Sequence, residues 1–173
     1  FGVDSVGRRQ YTIHIKDLST DSLLQDNVPN TTGEIAWAND NKTIFYSVKD
    51  EALRPCKIYR HTLGANASED PEIYHEKDET FYAYVYKSKS KKFIIIACHS
   101  TLSTEYRFVD ANNPEGSFKI FHPRERELEY SIWDIEDKFY IVTNYKAKNF
   151  RLMETSFDYT TKENWKEVIA HRE

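Results

Sequence analysis

The 173 residues carry 24 Lys+Arg against 28 Asp+Glu, a formal net charge of −4, so the chain lacks the basic excess of a dedicated nucleic-acid binder. Aromatic residues make up 14%, with 12 Tyr and 10 Phe, too many for a disordered segment and a composition that favours strands. The longest apolar run, Phe93–Cys98, has the length of a strand and falls far short of the ~20 residues that cross a bilayer as a helix.

In chain order, Tyr11–Leu18 comes first as a strand candidate. Its alternation puts Tyr11, Ile13 and Ile15 on one face and Thr12, His14 and Lys16 on the other. Ser22–Gln25 follows it, and the two read as the last strands of a preceding unit. Four strands are then expected at 34–38, 43–49, 56–63 and 71–76, with Asn39, Asp40 and Asn41 turning between the first two. The plan recurs in "YKSKSKKFIIIACHS" from Tyr86 and in "IWDIEDKFYIVTNYK" from Ile132. The markers Trp37, Tyr86, Ile132 and Ile44, Phe93, Phe139 step by 49 and 46 residues, Tyr59, Tyr106, Phe150 by 47 and 44, and Ile73, Ile120, Val168 by 47 and 48. The only helical candidates are Ala67–Glu72 and Thr161–Val168, each in a connection between a third and a fourth strand.

Four short strands in each unit of roughly 40–50 residues is the pattern of a β-propeller blade. The expected fold is therefore all-β: a partial propeller of about three four-stranded antiparallel blades plus two strands of a preceding one. The divisions fall at 1–30, 31–77, 78–125 and 126–173. Three blades and two strands are about half of a seven-bladed ring, so blade faces at the ends are open to self-association. A β-sandwich binding module is the alternative all-β reading.

The stretches "GRRQYTIHIKDL", "WANDNKTIFYSVKD", "LRPCKIYRHTLG", "YHEKDETFYAYVYKSKSKKFIII", "STEYRFVDA" and "NYKAKNFRLM" resemble, densely and in order, the propeller of oligopeptidase-B-type members of the prolyl oligopeptidase family of serine peptidases. The resemblance covers essentially the whole chain. It implies a parent with a seven-bladed propeller and an α/β-hydrolase catalytic domain whose Ser–Asp–His triad cleaves short peptides after Lys or Arg. It implies that the propeller caps the active site and selects substrates by size, and that no metal or cofactor takes part. The five glycines Gly2, Gly7, Gly33, Gly64 and Gly116 bracket no serine as G-x-S-x-G, the tight strand-to-helix elbow that such a nucleophile needs. No catalytic residue is therefore assigned, and the chain by itself is expected to be inactive. The competing reading is a non-enzymatic propeller scaffold that binds protein partners. No W-D pair closes a unit in support of it; Trp133-Asp134 opens one.

Candidate site residues follow from the blade plan. First strands line a propeller's channel, and theirs begin near Glu34, Thr80 and Glu129. Two acids facing a channel can steer short basic peptides toward it. The charged connections Glu76–Glu79 and Pro123–Glu129 follow equivalent strands and should share one end of the ring. Arg124 and Arg126 are placed there as a face toward the hydrolase domain. None of the six histidines forms an H-x-x-x-H pair, so no metal site is expected. Cys56 and Cys98 make neither a disulfide framework nor a CxxC signature and read as buried free thiols. Trp37, Trp133 and Trp165 read as core rather than as a stacking surface for sugar or RNA. No signal peptide or membrane segment is visible, and a cytoplasmic parent is expected, with periplasmic or secreted alternatives open.

Overall fold

In a computed structural model that describes residues 1–172, the strands form three antiparallel sheets, and none of them closes. The first is β1 (Gly2–Val3), β2 (Tyr11–Asp17), β3 (Ser22–Trp37), β4 (Thr43–Lys49), β5 (Pro55–Thr62) and β6 (Glu72–His75), paired in that order. The second is β7 (Tyr82–Lys87), β8 (Phe93–His99), β9 (Thr104–Asp110) and β10 (Lys119–Ile120). The third is β11 (Tyr130–Ile135), β12 (Lys138–Thr143), β13 (Arg151–Ser156) and β14 (Lys166–Ile169). Every pairing joins strands adjacent in sequence, so each unit is a meander with short polar turns.

The 16-residue β3 departs from expectation, because one strand serves two layers. Its first half pairs with β2 (Ile13 opposite Val28) and its second half with β4 (Trp37 opposite Ile44). The bend lies between. Asn30 and Gly33 have φ of +59° and +87°, and a Cβ at Gly33 would stand 2.8 Å from the Tyr11 ring, so only glycine fits there. Thr31 braces the bend, its hydroxyl donating to the Tyr11 carbonyl (3.1 Å) and accepting from the Gly33 N–H (3.0 Å). The short β1 adds a further strand beside β2 that hydrophobic patterning does not mark.

The layers pack face to face. Ile13, Ile15 and Val28 close on Ile44 and Tyr46. Phe45 and Ile58, on the other face of the first sheet, meet Ala83, Val85, Ile94 and Ile96 of the second. Ile95, Ala97 and Phe108 meet Tyr130, Ile132, Phe139 and Ile141 of the third. The run Phe93–Cys98 is continuously apolar because its residues alternate between two dry interfaces. Each such fully buried side chain contributes on the order of 1.5–3 kcal/mol.

This packing resets the repeat register. The residues that face the preceding layer are Ile44, Ile94 and Phe139, not Ile44, Phe93 and Phe139. Phe93 points to the other side, against Phe139 and Phe157. The third-strand partners of Ile44, Ile94 and Phe139 are His61, Val109 and Thr155, so the register equivalents of Tyr59 are Arg107 and Met153, where the markers had Tyr106 and Phe150; Phe150 precedes β13 with φ of +61°. One residue of slip reverses the face of every side chain in a strand, so the period is legible in sequence while the facing is not.

The two helical candidates form single 3₁₀ turns, Ala67–Glu69 and Lys162–Asn164. The first stops because Asp70 precedes Pro71 and is extended. Cys56 and Cys98 are free and buried. Trp165 is buried, its indole N–H donating to the Thr160 carbonyl at 2.8 Å. Trp133 does not pack in the core: it is 48% exposed, beside Ile135, on the face of the third sheet that no other layer covers among the described residues.

Candidate functional site at the inner-strand rim

The second half of β3, β7 and β11 open the three four-stranded units, so Glu34, Thr80 and Glu129 fall at the same end of the stack. Glu34 and Thr80 are exposed and Glu129 is half-buried. Burial and the nearby Glu34 carboxylate push the Tyr84 phenol up. Thr80 is held in a turn by Asp78, whose Oδ1 accepts from its N–H (2.9 Å) and its hydroxyl (2.7 Å). The Glu129 N–H donates to Asn144 Oδ1 at 3.0 Å. Of the three predicted rim residues, two are carboxylates and one is a hydroxyl held by a third carboxylate, Asp78.

The crossings between units arrive at this same end, and there the structure separates Arg124 from Arg126. Arg124 turns inward. It ion-pairs with Glu76, lies 3.7 Å from Asp78 and 3.8 Å from Glu105, and stacks 3.6 Å over the Phe81 ring. Burial alone would push Glu76 up. Arg124, the Tyr74 hydroxyl and the Asp78 N–H prevail and hold it below the usual carboxylate range. Arg54 fixes the same crossing, its Nη1 donating to the carbonyls of Asp78 (3.1 Å) and Phe81 (2.8 Å). Arg126, by contrast, is 92% exposed, and its ion-pair partner among the described residues is Glu127, at 3.7 Å.

Two open clefts flank the rim. One, of about 470 Å³, lies between Asp78–Phe81, Ser100–Ser103 and Arg124–Glu127. The other, of about 410 Å³, is lined by Arg9, Tyr11, Glu34, Lys49, Tyr82 and Tyr84. Both are large enough for a few peptide residues.

Sequence reasoning missed a buried polar cluster under the first sheet. His61 is fully buried, with Nδ1 2.9 Å from Asp70 Oδ1 and Nε2 3.0 Å from Asp26 Oδ1. Each ring nitrogen faces a carboxylate. Tyr46 donates to Asp70 at 2.9 Å. Burial works against the Asp26 charge, but the Gly64 N–H and His61 hold its carboxyl below the usual range. The three members are 35 and 9 residues apart, so no short motif announces them. The cluster joins two layers, Asp26 on β3 to His61 on β5.

Stacked four-stranded meanders with shared rim crossings define an open arc of a β-propeller. Residues 1–173 match the family described as "Prolyl oligopeptidase, N-terminal beta-propeller domain", and the chain belongs to that family. It is 41% identical over 172 residues to dipeptidyl aminopeptidase BI of Pseudoxanthomonas mexicana, covering 98% of this chain and 24% of the relative. It is 38% identical over 149 residues to Protease 2 of Moraxella lacunata, covering 85% and 22%. Among solved structures, oligopeptidase B from Leishmania major superposes with a TM-score of 0.92 at 31% identity, over 99% of this chain and 24% of that one. Oligopeptidase B from Trypanosoma brucei with covalently bound antipain, in its closed form, gives 0.87 at 26% identity over the same shares. The chain thus spans about a quarter of the length of the relatives it matches.

Proposed function

We propose that this arc is part of the cap of an oligopeptidase-B-like serine peptidase whose α/β-hydrolase domain lies elsewhere in the parent chain. The parent hydrolyses short peptides after Lys or Arg. The blades hold a passage too narrow for folded proteins, and closure around a bound peptide keeps bulk water from the reacting bond. The observation that carries this reading is the likeness to Leishmania major oligopeptidase B, at a TM-score of 0.92 over 99% of the chain. Glu34 and Glu129 at the rim add a modest attraction for basic peptides, an effect on rate that salt removes. Arg126, free of strong partners, is the rim residue available to meet the hydrolase domain.

The test is the parent protein with fluorogenic peptides. Arginyl and lysyl substrates should turn over far faster than prolyl ones, and activity should fall steeply once the peptide outgrows the passage. Preference for proline would overturn the specificity. Equal rates on a short peptide and a folded protein carrying the same site would overturn the gating. A parent with no peptidase activity would leave the scaffold reading.

A further inference from the structure

The loop between β1 and β2 displays two adjacent arginines, Arg8 and Arg9, both exposed. Exposed basic residues on a loop tip are where nicking concentrates. Here the backbone is bound up in a way that the side chains do not reveal. The Asp4 carboxylate accepts four backbone N–H groups: Oδ1 from Val6 (3.2 Å), Gly7 (2.8 Å) and Arg8 (3.3 Å), and Oδ2 from Arg9 (2.7 Å). Desolvation opposes the charge, and the four donors together outweigh it, holding Asp4 below the usual carboxylate range. Gly7 and Arg9 sit at φ of +73° and +59°, so the loop is coiled around the carboxylate. On the far side, the Arg9 carbonyl oxygen accepts a hydrogen bond from Lys49 Nζ, at the end of β4.

A serine endopeptidase makes different demands. It seats the substrate backbone extended and pairs with its polar groups. It also aims oxyanion-hole donors at the carbonyl oxygen of the bond to be cut. For cleavage after Arg9, the N–H and the C=O that the enzyme needs are those already held by Asp4 and Lys49. The positive φ at Arg9 is incompatible with an extended strand.

We propose that Arg9–Gln10 is a masked cleavage site, withheld from arginine-directed serine endopeptidases by two anchors, Asp4 and Lys49, and opened when either is lost. Hydrolysis there would break the Arg9 C–N bond to Gln10. One water supplies hydroxyl to the Arg9 carbonyl carbon and a proton to the Gln10 nitrogen, and β1 is severed from β2. The inference does not depend on what the parent itself cleaves.

The experiment is limited digestion of the purified chain with trypsin, followed by intact mass and N-terminal sequencing. Rates at Arg9–Gln10 are compared for the wild type, Asp4→Asn, Lys49→Met and Gly7→Ala, with a synthetic peptide Val3–Ile13 as the unmasked standard. A Cβ at Gly7 would meet nothing within 4 Å, so Gly7→Ala loosens the coil only through its strained φ and leaves both anchors chemically intact. The wild type should be cut far more slowly than the peptide. Asp4→Asn and Lys49→Met should be cut about tenfold faster than the wild type, as expected when a local opening loses one or two hydrogen bonds, and Gly7→Ala should also be cut faster, through the strain at its positive φ. Cleavage at the exposed Lys89 serves as the internal reference and should not change. Wild-type cutting at the peptide's rate would overturn the proposal, as would a rise shared equally by Lys89, which reports general unfolding.

Discussion

The two ends of the stack are held together by different physics. Between the second and third sheets the junction is rich in aromatic rings. The Phe139 ring lies 5.3 Å from Phe93 and Phe108, 5.0 Å from Phe121 and 4.9 Å from Phe157. Within the first sheet, between its β2–β3 layer and its β4–β5 layer, a core of five buried apolar residues is closed by the Asp26–His61–Asp70 joint. Ring packing is strong but only loosely directional, and it tolerates small slides. A buried charge cluster fixes position, because a displacement of one residue leaves carboxylates unpaired in a dry place. The joint ties the first half of β3, through Asp26, to β5, through His61, and so adds a register constraint between two layers that share one bent strand.

The largest effect should come from emptying the aromatic junction. Phe139→Ala should cost about 3–5 kcal/mol in urea unfolding. Because Trp165 packs on the same cluster, its fluorescence should shift before the global transition. A loss below about 1 kcal/mol would mean the rings are not what couples these sheets. His61→Gln at the other end keeps a donor but cannot serve two carboxylates, and should cost about 2–3 kcal/mol. Hydrogen exchange distinguishes the two: His61→Gln should speed exchange in β2 and leave β12 protected, and Phe139→Ala should do the reverse. Equal loosening in both variants would show one cooperative unit without separate joints.

How much of this the sequence discloses depends on range. The three-blade plan was readable because turn chemistry and apolar runs are local. Asn41, Lys91 and Glu136, one in each first hairpin turn, all adopt positive φ. The facing of Phe93 was not readable, since both faces of a buried sheet are apolar and the two registers have the same hydrophobic pattern. The β3 bend was legible only in part. Gly33 signals a backbone exception, but the closeness of the Tyr11 ring that makes it necessary is a tertiary fact. At the rim, sequence placed Arg124 and Arg126 together on charge alone. It could not see that Glu76, 48 residues away, claims the first.

That bridge gives the comparison a third, smaller test. Glu76 is buried and its carboxyl is held below the usual range in the folded chain. Its contribution is therefore complete above the unfolded glutamate value of about 4.3 and is lost as pH falls through the folded value. Melting temperature followed from pH 7 downward should drop through this window. Arg124→Gln should be less stable at pH 7 and show a shallower acid drop, since the residue that depresses the carboxyl is gone. Parallel curves for the two proteins would place the acid sensitivity elsewhere.

The smallest effect should be at Arg126, and its smallness is informative. Its side chain is 92% exposed, and its ion-pair partner among the described residues is a neighbouring exposed glutamate at 3.7 Å. Solvent screens such a pair almost completely, so Arg126→Glu should change stability by no more than about 0.5 kcal/mol. Arg124→Glu, a few ångströms of chain away, would set a negative charge against Glu76 and Glu105 and should destabilise by several times as much. Urea titrations of the two variants measure the ratio directly. If Arg126→Glu is silent in stability yet alters domain closure or peptide turnover in the parent protein, its charge acts outside this arc. If the two variants destabilise equally, the division between an inward and an outward arginine is wrong, and the rim is one continuous network.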